Sequence, residues 1–116
     1  MRLTTFAEDD IVDILAWSRA QFGEAAARRY ESLITSAMAD LIADPFRPGS
    51  ADRPELGPGA RSWHLRTSRR RVGRGDRGVG RPRHLLIYRI ETDVVVVGRV
   101  LHDAMELTRH LPDDWD

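Results

Sequence analysis

HLLIYRIETDVVVVGRVL, residues 84–101, decides the architecture. HLLIYRI (84–90) and VVVVGRVL (94–101) are rich in β-branched and aromatic residues, and Thr92-Asp93 between them has the length of a two-residue hairpin loop. Pairing Glu91 with Val94 across that loop sets residues whose numbers sum to 185 opposite one another. One face then carries His84, Leu86, Tyr88 and Ile90 with Val95, Val97, Arg99 and Leu101. The other carries Leu85, Ile87 and Arg89 with Val94, Val96, Gly98 and Val100, and His102 follows at the strand's end. This register makes His84 and Arg99 diagonal neighbours, near enough for two long side chains to share one ligand.

Upstream, RSWHLRT (61–67) alternates, with Trp63 and Leu65 on one face and His64 and Arg66 on the other, and predicts a further strand. Between them, 68–83 has four glycines and no apolar periodicity, which predicts a long, mobile, arginine-studded loop. The proline- and glycine-rich stretch 46–59 predicts an irregular linker. Before it, Ala27, Tyr30, Leu33, Ile34, Ala37, Met38, Leu41 and Ile42 fall at helical spacing. That helix is expected to stop at Asp44, because Pro45 disfavours a helical residue before it. Ile11, Ile14, Leu15 and Phe22, with Trp17 beside them, predict an earlier helix that ends at Gly23. Thr5 with Glu8 has the spacing of a capping box at its start, and the two apolar stripes are expected in the core. RLTTF (2–6) predicts a short first strand, and DAMELTRHL (103–111) a brief last helix before Pro112. The order β-α-α-β-β-β-α describes an α+β fold, a helical hairpin packed on a small, mainly antiparallel sheet. At 116 residues it is expected to form a single domain, 1–116, with 68–83 as an insertion.

The 18 basic and 18 acidic residues cancel, and every basic residue is arginine. The absence of lysine is the signature of a GC-rich genome before it is a functional one. The distribution says more than the sum. Residues 1–60 carry net −4, residues 61–90 net +9, and residues 91–116 net −5. The basic segment is either a solvated loop or a surface for anions and acidic partners. No apolar run approaches the roughly 20 residues that cross a bilayer, so no membrane role is expected. MRLTTFAEDD turns acidic without an apolar stretch and is not read as a signal peptide. Lack of cysteine excludes disulfides, thiolate metal sites and thiol nucleophiles, and a cytoplasmic setting is expected.

GRGDRGVG (73–80) lacks the lysine and hydroxyl residue of a phosphate cradle, and His64, His84, His102 and His110 show no metal-ligand spacing, so neither metal nor cofactor is expected. Cleavage of RNA needs only a base, an acid and a cation for the phosphorane charge. The candidates for that chemistry are Glu55, His84, His102 and Arg99, with Arg66 and Arg89 as further phosphate ligands. For each of these residues a plain structural use, as a strand-end cap or ion-pair partner, is the better reading. Arg61, Arg66, Arg89 and Arg99 are the candidates for binding an acidic partner.

An ordered set of motifs then resembles the RelE/ParE toxin superfamily. The set comprises Ala7, Asp10, Ile11 and Ile14; Ala27, Tyr30 and Leu33; PFRPG (45–49); RPEL (53–56) with GARS (59–62); HLLIYRI (84–90); and RVLHDAMELTRHLP (99–112). The final segment is most similar to the ParE-like branch of bacterial type II toxin–antitoxin modules. The resemblance implies a growth-inhibiting toxin held in a hetero-oligomeric complex by a cognate antitoxin. ParE-like toxins are associated with inhibition of DNA gyrase and RelE-like ones with mRNA cleavage on the ribosome, and the shared fold does not separate them. Lack of a tyrosine after position 88 and of any lysine favours the ParE-like side, a protein that works by binding. Glu55 and His102 occupy places similar to the acid–base pair of YoeB-like nucleases, which defines the alternative, an endoribonuclease using Glu55, His84, Arg99 and His102. A third reading is a nucleic-acid-binding module driven by the arginines of 61–89, and the 68–83 insertion would meet nucleic acid near the target or the antitoxin.

Overall fold

The computed structural model describes residues 1–71, 80–110 and 115. Strand β1 (Arg2–Leu3) leads into helices α1 (Thr5–Phe22) and α2 (Glu24–Ala43). Strands β2 (Ala51–Asp52), β3 (Arg61–His64), β4 (His84–Glu91) and β5 (Val94–His102) follow. The sheet order is β1-β5-β4-β3-β2. β1 runs parallel to β5 and every other pairing is antiparallel, so the architecture is the expected α+β one. Among the described residues no helix is long and apolar enough to cross a membrane.

Local chemistry explains the joints. α1 is capped by Thr4, one residue before the expected Thr5. The Thr4 hydroxyl accepts the Ala7 N–H at 3.1 Å and donates to the Gly98 carbonyl at 2.7 Å. Position 4 faces both the helix end and the sheet edge, so a single buried hydroxyl satisfies both. Gly23, at φ +94°, lets one residue close α1 and start α2. α2 ends at Ala43 and Asp44 leaves the helical region, as Pro45 requires. Thr92 and Asp93 lie at φ +50° and +63°, the backbone of a type I′ hairpin turn.

The main core lies between the helices and one sheet face, where Tyr30, Leu33, Ile34, Ala37 and Leu41 meet Trp63, Leu65, Leu86, Tyr88, Val95, Val97 and Val100. A smaller cluster of Leu56, Ala60, Leu85, Ile87 and Leu101 covers the other face, with Leu107 and Trp115 against it. Three residues expected in the core stay outside it: Trp17, Phe22 and Ile42 are 58%, 69% and 59% exposed. Helical periodicity marks an apolar stripe but not its width: Ser18 and Leu41, one residue from Trp17 and Ile42, are buried, so those two lie on the flank of the packed face.

Other expectations are corrected. The linker 46–59 contains a two-residue strand, Ala51–Asp52, paired to Arg61 and Ser62. The strand expected over 61–67 ends at His64, and Leu65–Arg71 turns into a 3₁₀ helix. There Trp63 Nε1 donates to Ser68 and Ser68 donates to Asp40 of α2, a buried relay that no extended strand could make. The loop expected over 68–83 therefore starts later, and its residues 72–79 lie outside the described ones. The helix expected over 103–111 is only a 3₁₀ turn, Leu107–Arg109, and position 111 lies outside the described residues.

The hairpin register is half right. Tyr88↔Val97 through Glu91↔Val94 follow the expected pairing, but beyond them the ladder slips to Ile87↔Arg99 and His84↔His102. Gly98 is the extra residue of a β-bulge. Below the bulge every side chain of β5 changes face. Val100 joins the helix-side core, and Leu101 joins Leu85 and Ile87 on the other side.

Candidate functional site

The bulge dismantles one expected pair and builds another. Arg99, now opposite Ile87, leaves the helix-side face at its backbone and its guanidinium turns along the β5 edge to Asp10, so it no longer stands diagonal to His84. His84 instead sits across from His102, with ring centroids 5.3 Å apart and the rings edge to face. Around this pair the strand ends gather Tyr30 from α2, His64 from β3, Arg83 and Asp103.

The hydrogen-bond pattern assigns the ring tautomers. The Tyr30 hydroxyl accepts the Arg83 backbone N–H at 3.2 Å, leaving its own proton for Nδ1 of His84 at 2.6 Å. Neutral His84 therefore carries its proton on Nε2. His102 Nδ1 accepts the Ala104 N–H at 3.1 Å, and His64 Nδ1 accepts the Arg66 N–H at 3.1 Å, which puts the ring proton on Nε2 in both. From there His64 donates to Asp103 at 2.9 Å. Asp103 also takes a two-pronged contact from the Arg83 guanidinium, at 3.1 and 3.0 Å.

Burial, reinforced by the charge of His102, lowers the His84 pKa to about 4, so His84 is a neutral donor at pH 7. Burial likewise raises Tyr30 to about 12. Hydrogen bonds from Arg83 and then His64 lower Asp103 to about 2. The cluster holds one fixed anion, one fixed cation and two adjacent imidazoles.

Tyr30, Arg83, His84 and His102 form one end of a cavity of about 830 Å³ between the helical hairpin and the end of the sheet. Its other wall is apolar and aromatic, with Ile14, Trp17, Phe22 and Ala26. Trp17 and Phe22 meet edge to face, centroids 5.6 Å apart.

The remaining candidates are scattered. The Arg99 guanidinium makes a paired contact with Asp10 of α1 at 2.7 and 2.8 Å and also donates to the His110 carbonyl. Arg89 donates to Glu91 at 2.5 Å and lies 4.7 Å from the Trp115 ring centre. Arg61 holds Ser50 at 2.8 Å and stacks over Phe46. Arg66 is exposed. Glu55 stands exposed on the 3₁₀ turn Pro54–Leu56 and faces Arg53 at 3.7 Å. Of Glu55, His84, Arg99 and His102, only the two histidines are brought together.

Tyr30, His64, Arg83 and Asp103 escaped sequence reasoning as members of one cluster. Tyr30 sat in a core stripe and His64 on a separate strand, and only the tertiary fold joins them. Gly98 within a β-rich run was the one available warning that the register shifts. Among the described residues no group of three His, Asp or Glu side chains is placed to hold a metal ion.

Residues 1–107 match the family model described as the ParE toxin of the type II toxin-antitoxin system, parDE. No curated protein matches the chain at a significant level.

Proposed function

The chain belongs to the ParE toxin family of type II toxin–antitoxin systems, and from that membership we propose that it acts by binding and inhibiting DNA gyrase in the cytoplasm. In this reading 1–116 works as one domain and a cognate antitoxin neutralises it. Arg61, Arg66 and Arg89 are its candidate contacts for an acidic partner, while Arg99 contributes only if Asp10 releases it.

The observation that carries binding over chemistry is the Arg99–Asp10 pair. An arginine that stabilises a phosphorane must be free to meet it. Arg99 has both prongs on a carboxylate, and both side chains are less than one-fifth exposed. Glu55, the base of the alternative, is not joined to the histidines. One observation favours the endoribonuclease reading, the His84–His102 contact at the cavity end, which would supply an acid and a base.

The deciding experiment combines gyrase supercoiling with growth inhibition. Purified protein is expected to block supercoiling or trap cleaved DNA, and Glu55→Ala with His102→Ala is expected to leave both that effect and toxicity intact. Loss of toxicity in this variant while antitoxin binding persists, with supercoiling untouched by the wild-type protein, would replace gyrase binding with RNA cleavage.

A further inference from the structure

Most described arginines rest on a carboxylate, among them Arg83, Arg89 and Arg99. Arg29 of α2 and Arg81 before β4 pair with no acid among the described residues, and both line the same cavity. In a chain with equal numbers of acids and arginines, two uncompensated guanidiniums on one concavity make a local positive field. Among the described residues Asp13 is the single carboxylate on that lining, and Arg83, already held by Asp103, adds a further cation.

The cavity has two chemistries. At the sheet end, His84 and His102 carry their ring protons on Nε2, so both are donors there even when neutral. Guanidinium forks and imidazole N–H groups together suit a phosphate, which accepts through several oxygens at once. On the helix wall, Trp17 and Phe22 expose ring surface that the core does not use. A flat aromatic base stacks on such a surface, and an arginine beside it adds a cation–π contact. The volume, about 830 Å³, is in the range of small-molecule sites and is too small for a folded partner.

We infer that the cavity between the helical hairpin and the sheet end binds a nucleoside monophosphate, with the base against Trp17 and the phosphate between Arg29, Arg81 and the His84–His102 pair. The site takes one unit of base and phosphate and needs no bond to form or break. It stands independently of the target proposed above, because neither gyrase binding nor antitoxin binding enters the argument.

The test is calorimetric titration of the full chain with adenosine 5′-monophosphate, adenosine and inorganic phosphate, alongside tryptophan emission. The monophosphate is expected to bind at one site, quench emission and weaken as salt rises. Arg29→Gln with Arg81→Gln is expected to weaken it about tenfold or more, the loss of charge-assisted hydrogen bonds, while adenosine is unaffected. Trp17→Ala is expected to weaken the monophosphate and adenosine but not inorganic phosphate. Arg28→Gln, which removes an exposed arginine paired with Glu24, serves as the control and is expected to change nothing. Absence of saturable monophosphate binding up to about 1 mM overturns the inference, as does binding that ignores Arg29 and Arg81. So does an acidic, aromatic peptide that binds through those arginines while the monophosphate stays silent, since the cavity is then a peptide site. Unaltered circular dichroism of each variant assigns any loss to the site and not to unfolding.

Discussion

The hydroxyl of Tyr30 gives its proton to Nδ1 of His84 at 2.6 Å, and it is free to do so because it already accepts the Arg83 N–H. This bond ties the middle of α2 to the first residue of β4 and selects the ring tautomer that the cavity meets. Tyr30→Phe removes an acceptor and a donor at a largely buried position. It is expected to cost about 1–3 kcal/mol in denaturant unfolding. By withdrawing the bond that favours neutral His84, it is also expected to raise that residue's pKa above about 4, which proton NMR titration of the imidazole reads directly.

Acid stability should be lost in two windows. Unfolded His84 takes up a proton near pH 6.5, whereas folded His84 resists until about pH 4. The unfolded state therefore binds more protons between these values, and stability falls as pH drops through them, by about 2 kcal/mol once partial exposure is allowed for. Folded Asp103 releases its proton down to about pH 2, so its contribution is complete above pH 4 and disappears between about 4 and 2. His84→Gln is expected to flatten the upper window and Asp103→Asn the lower one. Thermal unfolding midpoints from pH 7 to pH 2 separate the two.

These windows rest on contacts that no local pattern announces. Tyr30 and His84 are 54 positions apart, and His64 and Asp103 are 39 apart. Local rules performed well where one element decides its own shape. The α2 stripe from Ala27 to Leu41 and the stop at Asp44 follow from helical period and proline sterics. The Thr92–Asp93 turn follows from loop length. They failed where two elements decide together. The capping hydroxyl moved to Thr4 because Gly98 needed a donor on the same side. The register changed at Gly98, and with it went the His84–Arg99 neighbourhood. Phe22 has the spacing of core residues and Trp17 flanks it, yet both stay exposed while Ser18 between them is buried.

Asp10 offers a sharper test of packing at the sheet edge. β1 pairs only with Val96 and Val97, so the N–H of Val100 has no strand beside it. The Asp10 carboxylate accepts that N–H at 2.9 Å while holding Arg99. Asp10→Ala strands a partly buried guanidinium and an edge N–H together, and about 2–4 kcal/mol of stability is expected to go. Arg99→Ala should cost less, because Asp10 keeps the Val100 bond. The double variant is expected to lose about 1–3 kcal/mol less than the sum of the two, measured as a double-mutant cycle by urea unfolding. Strict additivity would mean that the pair contributes nothing to the fold.

Gly98 makes the last case, and it is steric rather than conformational. Its backbone is not in the left-handed region, so an alanine carries no torsional strain there. A Cβ at this position would stand 2.5–2.8 Å from three atoms of the Trp115 ring, well inside contact distance. The ring is the easier part to move. It lies against Arg89, 4.7 Å from its centre, while Arg2 holds the backbone by donating to the Trp115 carbonyl at 2.9 Å. Gly98→Ala is therefore expected to push Trp115 off the smaller core, with red-shifted emission, greater quenching by acrylamide and a loss of about 1–2 kcal/mol. If the clash is the cause, Gly98→Ala made in a Trp115→Ala background should be nearly silent, since the space the Cβ needs is already open. An equal cost in both backgrounds would place the penalty in the bulge itself.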